Sequence, residues 1–443
     1  MTPARALVVG LGVTGRAVTR ALVARGSSVT VVEDRPTEAH RVVASEIGVD
    51  LVEAPTPAAL PALLADVEVL LPSPGVPDRH PVFAAAATAE VPVRSEFDLA
   101  GAWDDRPVVA VTGTNGKTTV THLAADMLRR AGRVVAEAGN VETPLVEAID
   151  DPAVEVFVVE ASSFRLGHTA YWAPEVAAWL NFAPDHLDVH ADLAAYEAAK
   201  ARIWADQGPE DVAVVNAGDP VVAGHRGRAR RRTFGFSGRE AATVRDGWLV
   251  VDDRRLLAVG DLRRSLAHDQ ANGLAAALMV EPLGVGDEAV ATALAAFDGL
   301  PHRVQLVGEA GGVAWYDDSK ATTPHATRAA VDAFDSVVLI AGGRNKGLDL
   351  GELLGRRGSV RAVVAIGEAA PDVVDAVAGR VPVATAPSMA EAVAEADALA
   401  RPGDAVVLSP GCASFDWYSS YGERGEDFTR LVRIHLDREA SRP

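Results

Sequence analysis

A glycine-rich loop is the segment of the chain that is best suited to chemistry. Residues 112–119 read TGTNGKTT and stand between a β-branched run and an Ala/Leu-rich segment. Backbone N–H groups in such a loop, and the positive end of the helix that follows, attract phosphate. Lys117 adds a positive charge and Thr118 a hydroxyl that can bind magnesium, neither of which a tight turn without a ligand would need. The loop therefore predicts an ATP site, although Val111 stands where the generic phosphate-loop pattern has glycine.

Acidic and imidazole groups follow two other predicted strands. Glu160 ends the run 156–159, at the edge where α/β proteins bind ligands, so it is either a magnesium ligand or a solvated carboxylate. His186 follows the run 176–180 in a segment rich in carboxylates and histidine. Zinc is conceivable there, but hard oxygen ligands beside a phosphate loop favour magnesium, with His186 as an outer ligand or a hydrogen-bonding partner.

A lysine lies on the apolar stripe of a predicted helix. Tyr196, Lys200, Ile203 and Trp204 recur at helical spacing. Burial lowers the pKa of a lysine and leaves a neutral amine, which can react with carbon dioxide to form a carbamate. That anion could hold a second magnesium ion near the phosphates. The alternative is a lysine whose stem covers apolar surface while its ammonium stays in water.

A second glycine turn, GLGVTG over residues 10–15, follows the first predicted strand, and Glu33 and Asp34 stand at the end of the next strand. Taken alone, this pattern indicates NAD. An NAD-dependent dehydrogenase would leave the second nucleotide loop at Lys117 unexplained. The diphosphate of a UDP ligand would satisfy the same turn equally well.

Three polar loops in the last third of the chain each follow a predicted strand, at residues 315–323, 341–347 and 409–418. If these strands are parallel, all three loops meet at one edge of a sheet. Such an edge can offer the convergent cations and hydroxyls that a small dicarboxylate needs. The alternative is three unrelated surface loops.

The order of these motifs resembles that of the Mur ligase family. The loop TGTNGKTT, which is also similar to that of folylpolyglutamate synthetases, is followed by Glu160 in the motif EASSF, by Asp185-His186 and by Lys200. The resemblance covers essentially the whole chain and implies an ATP-dependent amide ligase. The N-terminal glycine turn together with EASSF favours the family member that adds D-glutamate to UDP-N-acetylmuramoyl-L-alanine, through an acyl phosphate, in peptidoglycan precursor synthesis. A related ligase that adds L-glutamate or another amino acid is the alternative.

The resemblance also implies roles for individual residues. Catalytic roles are implied for Lys117, Lys200 and His186. Magnesium would be held by Thr118 and Glu160 at one site, and by His186 and carbamylated Lys200 at a second. The residues implied to contact ATP are Gly113, Thr114, Asn115, Gly116, Lys117, Thr118, Thr119, Asn272, Arg303, Asp318 and Lys320. Those implied for the UDP-linked substrate are Thr14, Glu33, Arg35, Gly75, Asn140 and His186, and those for glutamate are Thr322, Lys346, Ser414 and Tyr421.

Three residues depart from the pattern of the family. Arg165 stands where glutamine is frequent, and Asp269 stands where asparagine is frequent. Thr323 replaces another frequent asparagine.

The elements that must position these residues belong to the α/β class. Short β-branched runs alternate with longer Ala/Leu-rich segments, which is typical of βα units and parallel sheets. Strands are predicted at residues 6–9, 29–32, 67–71, 108–111, 156–159, 176–180, 212–215, 337–340, 363–366 and 405–408. The periodicity lapses near residues 101–107 and 299–303. We therefore expect three domains on mainly parallel sheets: a Rossmann-like UDP-sugar domain (1–100), a central P-loop-type ATPase domain (101–301) and a Rossmann-like amino-acid-binding domain (302–443).

Composition bears on partners and location. With 61 acidic and 42 basic residues the formal charge is −19, which repels nucleic acid. The basic run 225–232 has no aromatic residue for base stacking and is predicted to be a solvated loop. No apolar stretch is long enough for a membrane span, and no signal peptide precedes the first strand, so we expect a cytoplasmic monomer that acts on small molecules. A catalytically idle nucleotide-binding scaffold is a further alternative.

The cysteine content is minimal. Cys412 is the only cysteine of the chain, so an intramolecular disulfide is excluded and a thiolate zinc site is disfavoured. We expect this side chain to be a small buried thiol.

Overall fold

The computed structural model describes residues 2–141, 143–186, 189–355 and 358–440. Helices surround three separate sheets whose strands are mainly parallel, which confirms the predicted α/β class. The chain forms two compact units, Met1–Ser265 with Asp269–Phe297, and Leu266–His268 with Asp298–Pro443. Among the described residues, no helix combines the length and the apolar character needed to cross a membrane.

The first sheet has four parallel strands in the order β3-β2-β1-β4. The strands are β1 (Arg5–Val9), β2 (Ser28–Glu33), β3 (Asp50–Glu53) and β4 (Val69–Pro72). The helices are α1 (Val13–Ala24), α2 (Glu38–Ile47), α3 (Leu60–Leu64), α4 (Pro81–Thr88) and α5 (Glu96–Trp103). Because β1 lies between β2 and β4, the glycine turn after β1 leaves the sheet where the strand order reverses, which is where open α/β sheets bind ligands.

Helix α5 runs through residue 101, where the sequence pattern lapses. Its Phe97 and Ala100 pack into the core beneath the second sheet, whereas Leu99 packs into the core of the first sheet. The first two sheets therefore share a helix inside one compact unit. The division into three domains stays a prediction.

The second sheet has nine strands in the order β13-β12-β11-β10-β9-β8-β5-β7-β6, parallel from β6 to β11 and antiparallel beyond. The strands are β5 (Val108–Thr112), β6 (Val135–Gly139), β7 (Val156–Glu160), β8 (Val176–Trp179), β9 (Val212–Asn216), β10 (Arg230–Gly235), β11 (Ala242–Arg245), β12 (Trp248–Val251) and β13 (Arg254–Ala258). The helices are α6 (Lys117–Arg130), α7 (Leu145–Ala148), α8 (Ser163–Leu166), α9 (Leu193–Ala201), α10 (Pro220–Gly224), α11 (Ala267–Val280) and α12 (Asp287–Ala296). Since the sheet is covered on both faces, its central parallel strands are almost fully buried, which explains their continuous Val/Ala runs.

The basic run corrects one prediction. Its last three residues are not a solvated loop but the start of β10, paired in parallel with β9. Arg232 stays in the strand because Asp252 and Glu281 neutralise its guanidinium at 2.6 and 2.8 Å. Both carboxylates come from later segments, so the run alone gives no sign of this pairing.

The third sheet has six strands in the order β14-β15-β19-β16-β17-β18, parallel except for β14. The strands are β14 (Gln305–Ala310), β15 (Val313–Asp317), β16 (Val337–Gly342), β17 (Val360–Ile366), β18 (Val383–Ala386) and β19 (Ala405–Leu408). The helices are α13 (Pro324–Val331), α14 (Ala370–Val377), α15 (Met389–Leu399) and α16 (Tyr421–Ala440). Because β15, β19 and β16 are parallel neighbours, the three polar loops after them meet at one edge, as predicted.

Candidate active site

The phosphate loop lies between β5 and α6. Gly116, with φ of 85°, is the residue before α6 and has no side chain to cap that helix, which leaves the position open to an anion. A Cβ at Gly116 would stand 2.7 Å from the Asn272 Oδ1 atom, so this predicted ATP contact lies directly against the loop. Thr119 is buried in the first turn of α6.

Asn181, at the end of the neighbouring strand β8, holds the loop in place. Its Oδ1 accepts a hydrogen bond from the Asn115 amide at 2.8 Å, and its Nδ2 donates to the Asn115 carbonyl at 3.1 Å. Its own carbonyl accepts from the Thr114 amide at 3.1 Å. Sequence analysis did not single out Asn181. It could have been predicted from its position, because it directly follows a predicted strand that ends at the same edge of the sheet as the strand before the phosphate loop.

Two lysines share one carbonyl of this loop. The Lys117 Nζ donates to the carbonyls of Gly113 and Thr114 at 2.9 and 3.0 Å, and the Lys200 Nζ donates to Gly113 at 2.8 Å. Lys200 is 1% exposed and lies 4.6 Å from the centre of the Tyr196 ring. The predicted burial of Lys200 is therefore confirmed, although what it does there stays a prediction.

Burial lowers the pKa of Lys200 well below that of a free lysine. The nearby charge of Lys117 lowers it further, while the carboxylates of Asp185 and Glu160 act in the opposite direction. The structure thus brings Lys117, Glu160 and Lys200 into one electrostatic environment. Asp185, which sequence analysis treated only as a neighbour of His186, belongs to the same group.

Glu160 offers an unsatisfied ligand atom. The side chain is 3% exposed, and its Oε1 accepts a hydrogen bond from the Asn140 Nδ2 at 2.9 Å. The Oε2 atom is buried without a hydrogen-bonding partner. A buried carboxylate oxygen in this state is costly unless a ligand or an ion completes it. The residue therefore fits a cation ligand better than a solvated carboxylate.

The donor set suits magnesium. Over the described ranges, no three His, Cys, Asp or Glu side chains cluster closely enough to hold a metal, as a protein-bound zinc would require. Magnesium instead takes one or two carboxylates and completes its shell with hydroxyl, phosphate and water oxygens. The unpartnered oxygen of Glu160 and the Thr118 hydroxyl match that requirement.

His186 is part of an aromatic group beside α9. Its ring stands edge-on to Phe164 at 4.7 Å and 6.0 Å from Tyr196, with its Nε2 3.4 Å from the Asp185 Oδ2. The backbone of His186 has φ of 55°, which is unusual for a non-glycine residue. Residues 187 and 188 of the same motif lie outside the described residues.

The glycine turn after β1 is tightly built. A Cβ at Gly15 would lie 1.9 Å from the Gly10 carbonyl oxygen, so only glycine fits. Glu33 accepts hydrogen bonds from the backbone amides of Leu11 and Arg35 at 2.9 and 3.0 Å, and thus ties the turn to the end of β2. Gly75, after β4, has open space around it. The predicted UDP-site residues of the first sheet therefore follow three adjacent strands.

The three loops of the third sheet are joined by backbone hydrogen bonds. The amides and carbonyls of Arg344 and Ala413 are paired at 2.8 and 3.0 Å, and the Gly411 amide donates to Ala321 at 2.9 Å. Adjoining loops and the start of α16 therefore carry the predicted glutamate contacts. These contacts are Thr322, Lys346, Ser414 and Tyr421.

The predicted ATP contacts of this unit lie beside the same loops. Asp318 accepts hydrogen bonds from the Ser409 hydroxyl at 2.7 Å and the Val304 amide at 3.2 Å. Burial raises the pKa of Asp318 to about 7, and the nearby charge of Arg303 opposes this shift. The Lys320 Nζ lies 3.7 Å from the centre of the Tyr421 ring.

Arg424 on α16 was missed by sequence analysis. It is 1% exposed and donates to the Ser319 hydroxyl and carbonyl, both at 2.9 Å, and to the Cys412 carbonyl at 3.2 Å. Burial lowers the pKa of Arg424 to about 10 and raises that of the Cys412 thiol to about 12. One guanidinium therefore links two of the three loops. Its partners lie 105 and 12 residues away, so no local pattern indicates them.

A histidine–aspartate pair makes the stability of this unit depend on pH. The His302 Nδ1 lies 2.6 Å from the Oδ2 of buried Asp317, and this hydrogen bond raises the pKa of His302 against the effect of burial. Glu426 raises this pKa further and Lys320 lowers it. The stabilisation is therefore complete below the unfolded pKa of 6.5 and is lost as pH rises through the folded pKa.

We expect His302→Asn to destabilise the protein by about 1–2 kcal/mol in mild acid, because a charged hydrogen bond is lost. Asparagine tolerates the φ of 60° at this position. The difference should shrink in alkaline buffer, where the wild-type histidine is neutral. The thermal unfolding midpoints of the wild type and the variant, compared at about pH 6 and at about pH 9, measure the destabilisation at each pH. A difference that stays constant between the two pH values would contradict the assignment.

Family models match most of the chain. The model described as "Mur ligase MurD-like, N-terminal domain" matches residues 4–95. The Mur ligase middle domain matches residues 111–254, and the Mur ligase glutamate ligase domain matches residues 302–412.

Curated relatives are similar over nearly their full length. The UDP-N-acetylmuramoylalanine–D-glutamate ligase of Frankia casuarinae is 43% identical over 442 residues, covering 96% of this chain and 93% of that protein. The enzyme with the same name from Rubrobacter xylanophilus is 42% identical, covering 97% and 98%. The one from Thermobifida fusca is 40% identical, covering 97% and 98%.

Two solved structures share the fold. The MurF ligase of Thermotoga maritima in complex with ADP superposes with a TM-score of 0.60 at 17% identity, covering 98% of this chain and 95% of that one. UDP-N-acetylmuramate–alanine ligase of the same organism gives 0.58 at 18% identity, covering 98% and 100%. At these identities the likeness concerns the fold alone.

Proposed function

The chain belongs to the Mur ligase family, and from that membership we propose that it joins D-glutamate to UDP-N-acetylmuramoyl-L-alanine in an ATP-dependent reaction. The observation that carries the proposal is the convergence of Lys117, Lys200 and Glu160 beside the phosphate loop, in a chain whose full-length relatives are named for this reaction. A dehydrogenase or an idle scaffold would need neither the buried lysine nor the unsatisfied carboxylate.

The reaction has two steps. A carboxylate oxygen of the alanyl group attacks the γ-phosphorus of ATP, the bond from that phosphorus to the bridging oxygen breaks, and ADP leaves. The amine of glutamate then attacks the acyl carbon, inorganic phosphate leaves, and the amine gives up a proton to form the amide. Lys117 and the first turn of α6 stabilise charge on the transferring phosphoryl group. Holding the reactants in line supplies much of the remaining acceleration.

Magnesium fits the donors described above. Glu160 and Thr118 would hold one ion, and His186 with carbamylated Lys200 would hold a second, where they would neutralise phosphate charge. The neutral amine of Lys200 is the form that can take up carbon dioxide. Because Asn140 donates to Oε1 of Glu160, the unpartnered Oε2 is the oxygen that would be available to a metal ion.

Glutamate is proposed to bind at the joined loops of the third sheet. Lys346 supplies a cation, and Thr322 and Ser414 supply hydroxyls for a dicarboxylate. Arg424 links two of these loops through its hydrogen bonds to Ser319 and Cys412, which helps to hold the site in one geometry. We further propose a cytoplasmic monomer that acts on these small molecules, and the net charge of −19 supports the absence of a nucleic-acid partner.

The test is phosphate release from ATP in the presence of magnesium and UDP-N-acetylmuramoyl-L-alanine. D-glutamate should be required, whereas L-glutamate, alanine and diamino acids should give background rates. Phosphate release that depends on another amino acid would assign the chain to a related ligase. Release that needs no amino acid, or no release at all, would refute the ligase assignment.

A further inference from the structure

The guanidinium of Arg165 joins two residues implied to contact the UDP-linked substrate. Its Nη2 donates to the Thr14 hydroxyl at 2.8 Å, and its Nη1 donates to the Asn140 Oδ1 at 3.1 Å. Its Nε donates to the Glu96 Oε1 at 2.7 Å. Arg165 is only 7% exposed, and its contacts with Thr14 and Glu96 are buried, whereas the contact with Asn140 is part-buried. Thr14 belongs to the glycine turn region of the first sheet, whereas Asn140 follows β6 of the second.

A buried carboxylate holds this guanidinium in position. The side chain of Glu96 is 0% exposed, and its second oxygen accepts a hydrogen bond from the Val146 amide at 3.1 Å. Arg165 itself lies in the short helix α8, which the Ser162 hydroxyl caps through the Arg165 amide. Because backbone and side chain are both held, the fork of donors has a fixed direction.

The contacts dictate how the two substrate residues are presented. The Thr14 oxygen accepts from the guanidinium, so its own proton must point elsewhere. The Asn140 Oδ1 faces Arg165 and its Nδ2 faces Glu160, which fixes the orientation of the amide. Asn140 remains exposed to solvent, and its Nδ2 has a second proton to donate. Asn140 therefore presents a directed donor to an oxygen-rich ligand, and the buried Thr14 hydroxyl keeps its proton for a partner other than Arg165.

We propose that Arg165 is a positioning residue that sets the affinity for the UDP-linked substrate by orienting the donors of Thr14 and Asn140. The inference rests on the proposed function. A glutamine at this position could reach one of the three partners but not all of them. A lysine would keep the charge but lose the planar fork.

Steady-state kinetics of Arg165→Gln test the proposal. We expect the KM for UDP-N-acetylmuramoyl-L-alanine to rise about tenfold to a hundredfold, the range for a lost hydrogen bond to a charged group. The KM values for ATP and D-glutamate should stay within about twofold, because none of the three side chains that Arg165 contacts (Thr14, Glu96 and Asn140) belongs to the phosphate loop or to the loops of the third sheet. Calorimetric titration of the UDP-linked substrate without ATP should show the same loss of affinity. Arg165→Lys should fall between wild type and Arg165→Gln.

Arg106→Gln is the matched control. Arg106 also makes a fork of hydrogen bonds, although a half-buried one, donating to Asp104 and to the carbonyls of Ile149 and Val154, and it precedes β5 at the opposite end of the sheet. This variant should lower the unfolding temperature without a change in any KM. If Arg165→Gln behaves like Arg106→Gln, or raises all three KM values together, the positioning role is wrong. If the wild type shows no D-glutamate-dependent phosphate release, the proposed function is wrong, and this inference, which rests on it, is wrong as well.

Discussion

Lys117→Ala should reduce D-glutamate-dependent phosphate release by about a hundredfold to a thousandfold, the cost of removing one preorganised donor from a developing charge. The Lys117 Nζ donates hydrogen bonds to the carbonyls of Gly113 and Thr114. A phosphate offers this ammonium a far stronger partner than two neutral carbonyls do. The unfolding temperature should change little, because the lost hydrogen bonds are weak net contributors.

The effect of Lys117→Ala is measured as kcat and as the KM for ATP. Arg130→Ala is the control on the same helix, since Arg130 pairs only with Asp126 at 2.8 Å among the contacts described for it, at the end of α6 away from the loop. We expect the control to keep wild-type kinetics within about twofold. A Lys117→Ala enzyme that retains more than about a tenth of the wild-type rate would contradict the role of this lysine.

Lys200→Ala should lose most activity and regain part of it when formate or acetate is added. Burial and the charge of Lys117 lower the pKa of the wild-type amine, which favours the neutral form that can become a carbamate. Removing the side chain leaves a cavity beside the Gly113 carbonyl. A small carboxylate can enter this cavity, where its oxygen would replace the carbamate oxygen as a magnesium ligand. The measurement is phosphate release across a series of carboxylate concentrations.

Lys200→Met separates this explanation from a structural one. Methionine fills nearly the same volume, so it restores packing but leaves no space for an added carboxylate. We expect Lys200→Met to be inactive and not rescued. Equal rescue of both variants, or wild-type rates from either, would refute a metal-binding carbamate on Lys200.

Sequence patterns predicted ten of the observed strands and the buried lysine, because each rests on local periodicity. Every predicted strand overlaps an observed one, since a parallel sheet covered on both faces demands continuous β-branched runs. Helical spacing likewise predicted Lys200 beside Tyr196, because residues four positions apart lie on the same face of a helix. These features depend on residues that are neighbours along the chain.

Features that depend on distant partners could not be predicted. Strand β10 begins with three arginines, and only Asp252 and Glu281 make Arg232 acceptable there. The partners of Arg165 lie 69, 25 and 151 residues away in sequence. The candidate site was therefore predictable as a set of motifs, whereas the buried network that orients its residues required the fold.

The burial of the only cysteine gives the native chain an intrinsic conformational reporter. Cys412 is 1% exposed in the loop after β19, two residues before Ser414, which is implied to contact glutamate. A thiol reagent can reach it only when that loop or its sheet opens. The rate of modification therefore measures how often the C-terminal unit opens. If an added amino acid slows this modification, the slower rate would report that the amino acid has bound in this region, without any engineered label.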